Sequence, residues 1–481
     1  MKDYEHLYIN GEWVAPIEPK GSIEVIDSAT EEVMARVAQG GAADTNAAVA
    51  AARAAFDSWS QTAPDVRAKY LRDIGAGLMA RFGEIAEVIS GEVGSPKAFA
   101  EMVQAGLSIG DWETYASIVE NYEWETTLGN SLVVKEPIGV VGAITPWNYP
   151  LYLIVCKIGP ALAAGCTIVL KPASLTPLNA IILTEVIHAA GVPAGVFNLV
   201  VGPGPEVGTT LAKHPDVDMV SLTGSGPVGA QVSKDAADTI KRVGLELGGK
   251  SANVILDDAD PAAIALGAVF GCMLNSGQTC SALTRVLIPR SREQEFLDAI
   301  VAEASQLRLV DPHEAQDDPM ALFHCLGPMV SRSQQETVRG YIQKGIDEGA
   351  TLLLGGPEQP EEFEKGFYVK PTVFAGVTPD MTIAQEEIFG PVLSIITYED
   401  DDDAVRIANG TVFGLGGAVQ SGDVERAKSV ARRMRTGQVD INGAAFNSLA
   451  PFGGYKQSGN TRERGVFGLE EFLETKSLQL P

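Results

Sequence analysis

The chain has 481 residues, 45% hydrophobic and 20% charged, the composition of a soluble globular protein with room for roughly two to four domains. Acidic residues outnumber basic ones 62 to 36, for a formal net charge of -26. That excludes nucleic acid and anionic membrane as partners, since both need a basic face.

No stretch of about 18 uncharged apolar residues occurs, so no membrane span is expected. The opening MKDYEHLYINGEWV is too polar for a secretory signal. Cys156, Cys166, Cys272, Cys280 and Cys325 form an odd and sparse set. They point to a reducing cytosol, and so to a cytoplasmic protein, rather than to a disulfide framework. The five histidines show no metal-ligand spacing, and no metal site is expected.

In chain order, YINGEWV predicts two strands joined by an Asn-Gly turn. From Asp44 to about Ser90 the pattern is helical, with Asp44 and Thr45 as candidate caps. Lys97–Asn121 also reads as helix. Between 139 and 222, GVVGAI, CTIVLK, FNLVVG and VDMVSL read as strands, and PALAAG and LNAIILTEVIHAAG as helices. This alternation predicts βαβ units and a parallel sheet with helices on both faces. A second set follows from Asn253, with SANVIL, TRVLIP, LSIITY and GQVDIN as strands and EQEFLDAIVAEASQ as a helix. The acidic run Glu399–Asp403 predicts a helix start, where the dipole favours negative charge.

Three local patterns match known motifs. GLELGGKS, residues 244–251, fits a phosphate-binding loop, but that reading needs a helix after Ser251 and the following ANVIL is β-rich. GLSIG, residues 106–110, fits a nucleophile elbow, yet lies within a helical stretch. GSGPVG, residues 224–229, fits a dinucleotide fingerprint and has a strand before it and a helix after it. On that pattern Glu246 would be the ribose-binding acid.

Seven segments taken together are specific: ITPWNYP at 144–150, LKPASLTP at 170–177, LTGSGPVG at 222–229, LELGGKS at 245–251, NSGQTC at 275–280, EEIFGPV at 386–392 and PFGGYKQSG at 451–459. In content, order and spacing they resemble the NAD(P)-dependent aldehyde dehydrogenase superfamily, across essentially the whole chain. The resemblance implies an enzyme that oxidises an aldehyde to an acid with NAD or NADP.

By that resemblance Cys280 is the nucleophile, whose thiolate forms a hemithioacetal and then a thioester. Asn148 supplies the oxyanion donor with the backbone N–H of Cys280. Glu246 is the base that activates the deacylating water, which replaces its ribose reading and argues against a coenzyme-A-acylating subtype. Lys171 reaches the adenosine ribose and supports the nucleophile's surroundings. The cofactor site implied comprises Ile144, Thr145, Pro146, Trp147, Lys171, Ser174, Gly204, Gly208, Gly224, Ser225, Val228, Leu247, Gly248, Glu387 and Phe389. Ser174 stands where many NAD-preferring members carry Glu. A neutral residue removes the repulsion of a 2′-phosphate, so NADP is expected to be tolerated.

The implied substrate tunnel is Tyr149, Leu153, Cys156, Leu274, Thr279, Ser281 and Phe446, although Cys156 also reads as core. These residues carry no Lys or Arg, which favours a medium or large aliphatic or aromatic aldehyde or an oxo acid. Arg285 is read as a general family position and not as a carboxylate clamp. The fold implied is α/β: two doubly wound parallel-sheet domains and a β-hairpin oligomerisation arm. The dinucleotide domain takes 1–119 and 139–247, the catalytic domain 248–440, and the arm 120–138 with 460–481. Trp124–Thr127 and Ser131–Lys135 flank the turn of that arm. The tail EEFLETKSLQL is expected to add a strand to a neighbour's sheet in a homodimer or homotetramer. The competing readings are a nucleotide hydrolase built on Lys250-Ser251 and a catalytically silent member of the same fold.

Overall fold

The computed structural model describes residues 2–316, 318 and 320–481. Two seven-stranded sheets carry the fold. The first has the order Arg242–Glu246, Met219–Thr223, Val140–Ile144, Thr167–Lys171, Phe197–Leu199, Leu7–Ile9 and Glu12–Val14. Its first five strands are parallel. The last two form the expected hairpin, with Ile9 opposite Glu12. Asn10 and Gly11 both have positive φ, +54° and +82°, as a two-residue turn of this hand requires.

The second sheet has the order Thr351–Leu354, Thr372–Ala375, Val392–Tyr398, Arg285–Pro289, Ala252–Ile255, Gly417–Gln420 and Asp440–Ile441. All pairs but the first are parallel. Successive side chains of a strand face opposite ways. Val254, Leu287 and Ile396 therefore pack into one core, and Ile255, Val286, Ile288 and Ile395 into another. Both faces are buried, which is why these strands read as continuous apolar runs. GQVDIN contributes only Asp440–Ile441 to the ladder.

The helix expected from Asp44 begins earlier. Gly41 is its cap, and Asp44 lies in the first turn. The Asp44 carboxylate accepts from Gly41 N at 2.9 Å and from Ile17 N at 2.8 Å. Ala42 and Ala43, good helix formers, extend the helix into the loop. Lys97–Asn121 is helical but not uniform: a π turn over Ala100–Ala105 separates Lys97–Phe99 from Gly106–Asn121. GLSIG lies inside that last helix, so the elbow reading falls. The acidic run starts the helix Asp401–Asn409, with the Asp400 side chain accepting from Asp403 N at 2.9 Å.

Strand Ala252–Ile255 begins directly after Ser251, which removes the phosphate-loop reading. The arm is a three-stranded sheet of Glu125–Leu128, Ser131–Pro137 and Leu473–Gln479. The tail strand joins the arm's hairpin, as the grouping of 120–138 with 460–481 implies. It pairs antiparallel with Ser131–Pro137 of its own chain, from Leu473↔Pro137 to Gln479↔Ser131. Leu469, Phe472 and Leu473 anchor it in the core of the first sheet.

Candidate active site

A cavity of about 230 Å³ opens where the two sheets meet. From the first sheet it is lined by residues just past the carboxyl ends of three parallel strands: Pro146, Trp147 and Asn148; Thr223, Gly224 and Ser225; Leu247 and Gly248. Ligand sites in open α/β sheets lie at such strand ends. Cys280, Gln334, Glu387 and Phe389 close it from the other side.

Cys280 follows an unusual turn. Helix Pro261–Met273 ends, and Asn275, Ser276 and Gly277 take φ of +53°, +57° and +74°. A Cβ on Gly277 would lie 2.1 Å from Gly390 O, so only glycine fits. The reversal brings Gln278 O within 3.0 Å of Asn148 Nδ2. Cys280 is half-buried, while the other four cysteines are buried. Burial pushes its thiol up to about 12, and Glu387 and Glu246 add to that shift.

Glu387 lines the same cavity as Cys280. Its Oε1 accepts from Gly249 N at 2.9 Å. A Cβ on Gly248 would lie 2.1 Å from Glu387 Oε2, and one on Gly249 would lie 2.4 Å from Cys280 O. The paired glycines of LELGG thus admit the Glu387 carboxylate on one side and the Cys280 backbone on the other. Burial raises the Glu387 carboxyl to about 7, against the pull of Gly249 N–H and Lys250. Phe389 sits at φ +59° and meets the Trp147 ring edge-on, with centroids 5.2 Å apart. Gln334 Nε2 braces that turn by donating to Phe389 O at 2.9 Å.

These walls suit a dinucleotide. Ser225 heads the helix Gly226–Ala236 with its hydroxyl uncommitted to the cap. The buried Thr223 hydroxyl lacks a protein partner and faces the cavity. Gly229 lets the helix approach within 2.7 Å, Cβ position to Leu247 side chain.

The model of the aldehyde dehydrogenase family matches residues 13–478. The chain belongs to the aldehyde dehydrogenase family. It is 47% identical over 481 residues to a 3-succinoylsemialdehyde-pyridine dehydrogenase of a Pseudomonas species, with 99% of each chain covered. A mutant of aldehyde dehydrogenase C from Pseudomonas syringae, solved with NAD+ and octanal, is 47% identical with a TM-score of 0.96. That match covers 99% of this chain and 96% of that one. An aldehyde dehydrogenase of Mycobacterium tuberculosis, solved with NAD+, is 44% identical with a TM-score of 0.95, covering 100% and 99%.

Not every expected site residue of this aldehyde dehydrogenase reaches the cavity. Glu246 ends strand Arg242–Glu246, but its carboxylate turns toward Gly453, where a Cβ would lie 2.6 Å from Oε1. Both carboxylate oxygens are buried without a hydrogen-bond partner. Burial and then Glu463 push this carboxyl well up, with Lys157 opposing. Lys171 is buried beyond the rim, donating to Pro172 O at 2.8 Å, and burial lowers its ammonium to about 8. Thr145 N donates to Lys171 O at 3.1 Å. Ser174 Oγ donates to Gly202 O at 3.2 Å. Gly204 and Gly208 bound a separate π turn, with Gly208 against Ile144. Val228 is exposed on the helix headed by Ser225.

Of the expected tunnel residues, Tyr149 and Thr279 are joined beside Cys280 by a 2.7 Å hydrogen bond between their hydroxyls. Phe446 is 50% exposed and stacks on Arg464, whose guanidinium lies 4.0 Å from the ring centre. Leu153 and Cys156 are buried in the helix Tyr152–Ala164. Leu274 is half-buried at the head of the Cys280 turn. Ser281 packs beside Gly416, away from the cavity. Arg285 donates to the carbonyls of Lys250, Ile407 and Ala408 at 2.8–2.9 Å.

Sequence reasoning missed Thr223 and Gln334 in the lining, and a buried polar cluster behind Glu246. There Lys157 Nζ meets Glu463 Oε1 at 2.7 Å and Ser221 Oγ at 3.2 Å. Asp111 lies 3.6 Å from Arg464. A usable signal existed for Lys157: it is the one charge in YLIVCKIGPALAA, and a lone charge in a buried helix needs a partner.

Proposed function

We propose that this aldehyde dehydrogenase oxidises a medium or large aliphatic or aromatic aldehyde, or an oxo acid, to the carboxylic acid with NAD. The observation that carries the reading is that Cys280 and Asn148 face one cavity whose other walls fit a dinucleotide. The Cys280 thiol, pushed up by burial, passes its proton to solvent water as its sulfur bonds to the aldehyde carbon and the carbonyl π pair moves onto oxygen. Asn148 Nδ2 spends one hydrogen on Gln278 O and keeps the other for the developing oxyanion. NAD, when bound, accepts the hydride released by the sulfur adduct. Trp147, Ser225, Glu387 and Phe389 would hold it.

The Cys280 thioester then needs an activated water. Glu246, after swinging from Gly453 toward Cys280 into solvent and ionising there, takes a proton from the water as the water oxygen bonds to the acyl carbon and the carbon–sulfur bond breaks, which frees the Cys280 thiolate. The swing breaks no hydrogen bond, because neither carboxylate oxygen has one. Ser174 and a Lys171 without a carboxylate partner would also tolerate a 2′-phosphate, so NADP serves as well.

Two relatives support the substrate class: one is solved with octanal, and one is named for a pyridine-bearing semialdehyde. Tyr149, held to Thr279 next to Cys280, supplies aromatic surface for such a chain. We assign residues 1–119 and 139–247 to cofactor binding, 248–440 to catalysis, and 120–138 with 460–481 to an arm that makes a homodimer or homotetramer. The protein acts in the cytoplasm; no helix among the described residues is long and apolar enough to cross a membrane. The test is NADH formation with a panel from acetaldehyde to long-chain, aromatic and carboxylated aldehydes. Turnover greatest with short aldehydes would overturn the substrate class.

A further inference from the structure

The Cys280 turn is tied to a polar group that approaches from a different part of the chain. The Asn275 carboxamide is a buried crossbar. Its Nδ2 donates to Asn148 O at 2.9 Å and to Gln278 O at 3.3 Å. Its Oδ1 accepts from Ser95 Oγ at 2.6 Å and from Gln104 Nε2 at 3.2 Å. Gln104 Nε2 also donates to Ser95 Oγ at 2.6 Å. Ser95, Gln104, Asn275, Gln278 and Asn148 are each at most 3% exposed.

The two ends of this crossbar are chemically opposite. Two carbonyls face its nitrogen, and two donors face its oxygen. A carboxamide so surrounded has one orientation, since the flipped one would set oxygen against carbonyls and nitrogen against donors. Gln104 reaches this place because it lies in the π turn Ala100–Ala105, and such turns re-aim side chains within a helix. The Gln278 carbonyl thereby receives both Asn275 Nδ2 and Asn148 Nδ2. Its position sets the rotation of the Asn148 amide and the hydrogen left for substrate.

We propose that Gln104, with Ser95, is a positioning residue for the oxyanion site: through Asn275 it fixes the amide of Asn148 opposite the Cys280 turn. This rests on the oxyanion role given to Asn148 above. A donor displaced by about an ångström loses much of its rate effect, while cofactor binding on the far walls is untouched.

The test is a double-mutant cycle with Gln104→Leu and Asn148→Ala, read as kcat/KM for a preferred aldehyde and Kd for NAD. Gln104→Leu should lower kcat/KM about tenfold in the parent and no more than about twofold in Asn148→Ala, with NAD affinity unchanged. Gln104→Glu is the second variant, should Gln104→Leu fail to fold. Its protonated acid donates to Asn275 Oδ1 and its carboxylate cannot, so its activity relative to the parent should rise as pH falls. Equal losses in both backgrounds, or a Gln104→Glu profile parallel to the parent's, would overturn the inference alone. An Asn148→Ala enzyme with unchanged kcat/KM would overturn the oxyanion assignment and this inference with it.

Discussion

The side chain of Asn148 donates to the backbone carbonyl of Gln278 at 3.0 Å, two residues before Cys280. This bond joins the segment that follows strand Val140–Ile144 of the first sheet to the Cys280 turn. Asn148→Ala should lower kcat/KM about a hundredfold, the cost of one oxyanion donor. Stability should fall by only about 1 kcal/mol, the worth of one hydrogen bond. Steady-state kinetics beside urea unfolding checks both numbers.

Glu246 is expected to act after hydride transfer, not before. Glu246→Gln should keep a burst of NADH equal to the enzyme concentration and slow the steady state by about a hundredfold or more. Stopped-flow fluorescence of NADH separates the two phases. Loss of the burst itself would assign Glu246 to the first half-reaction, and retention of full turnover would remove the base role from Glu246.

Burial raises the Glu387 carboxyl to about 7. Between the ordinary carboxylate range and that value, the folded protein holds a proton that the unfolded chain has lost. Folding stability then falls as pH rises across the window. Glu387→Gln should flatten that part of the slope and raise KM for NAD. Thermal melting from pH 4.5 to about 7, for both proteins, tests the sign.

Lys157 and Glu463 are 1% and 8% exposed, so each charge depends on the other. Glu463→Ala strands an ammonium that keeps only Ser221 Oγ, and should cost about 3–5 kcal/mol in urea unfolding. Replacing both with apolar residues of similar size should recover most of that loss.

At the proposed adenosine end of the cofactor stands the neutral Ser174, whose hydroxyl donates to Gly202 O. Ser174→Glu should lower kcat/KM with NADP about tenfold more than with NAD, by repelling the 2′-phosphate. Parallel titrations of the two cofactors measure the ratio.

The fold was legible because both sheets bury two faces, and continuous runs such as TRVLIP and LSIITY have few other readings. The Asn-Gly hairpin was legible for its turn chemistry. The pairing of the tail with the arm's hairpin was legible through the family resemblance, and Leu473–Gln479 lies antiparallel to Ser131–Pro137. Cys280, Asn148 and Glu387 were reached through motifs and converge on the cavity. The orientation of Glu246 could not be read, since it depends on the burial of its carboxyl beside Glu463 and Lys157, contributed by distant segments. Gln104 and Gln334 were invisible for the same reason, and a π turn leaves no periodic signature in AEMVQA.

The most direct measurement of the central claim is NADH absorbance with octanal and NAD, for the parent enzyme and Cys280→Ala. The parent should form NADH steadily and Cys280→Ala none, with the variant still binding NAD. Equal NADH formation by both proteins would contradict that claim, for oxidation would then proceed without the Cys280 sulfur.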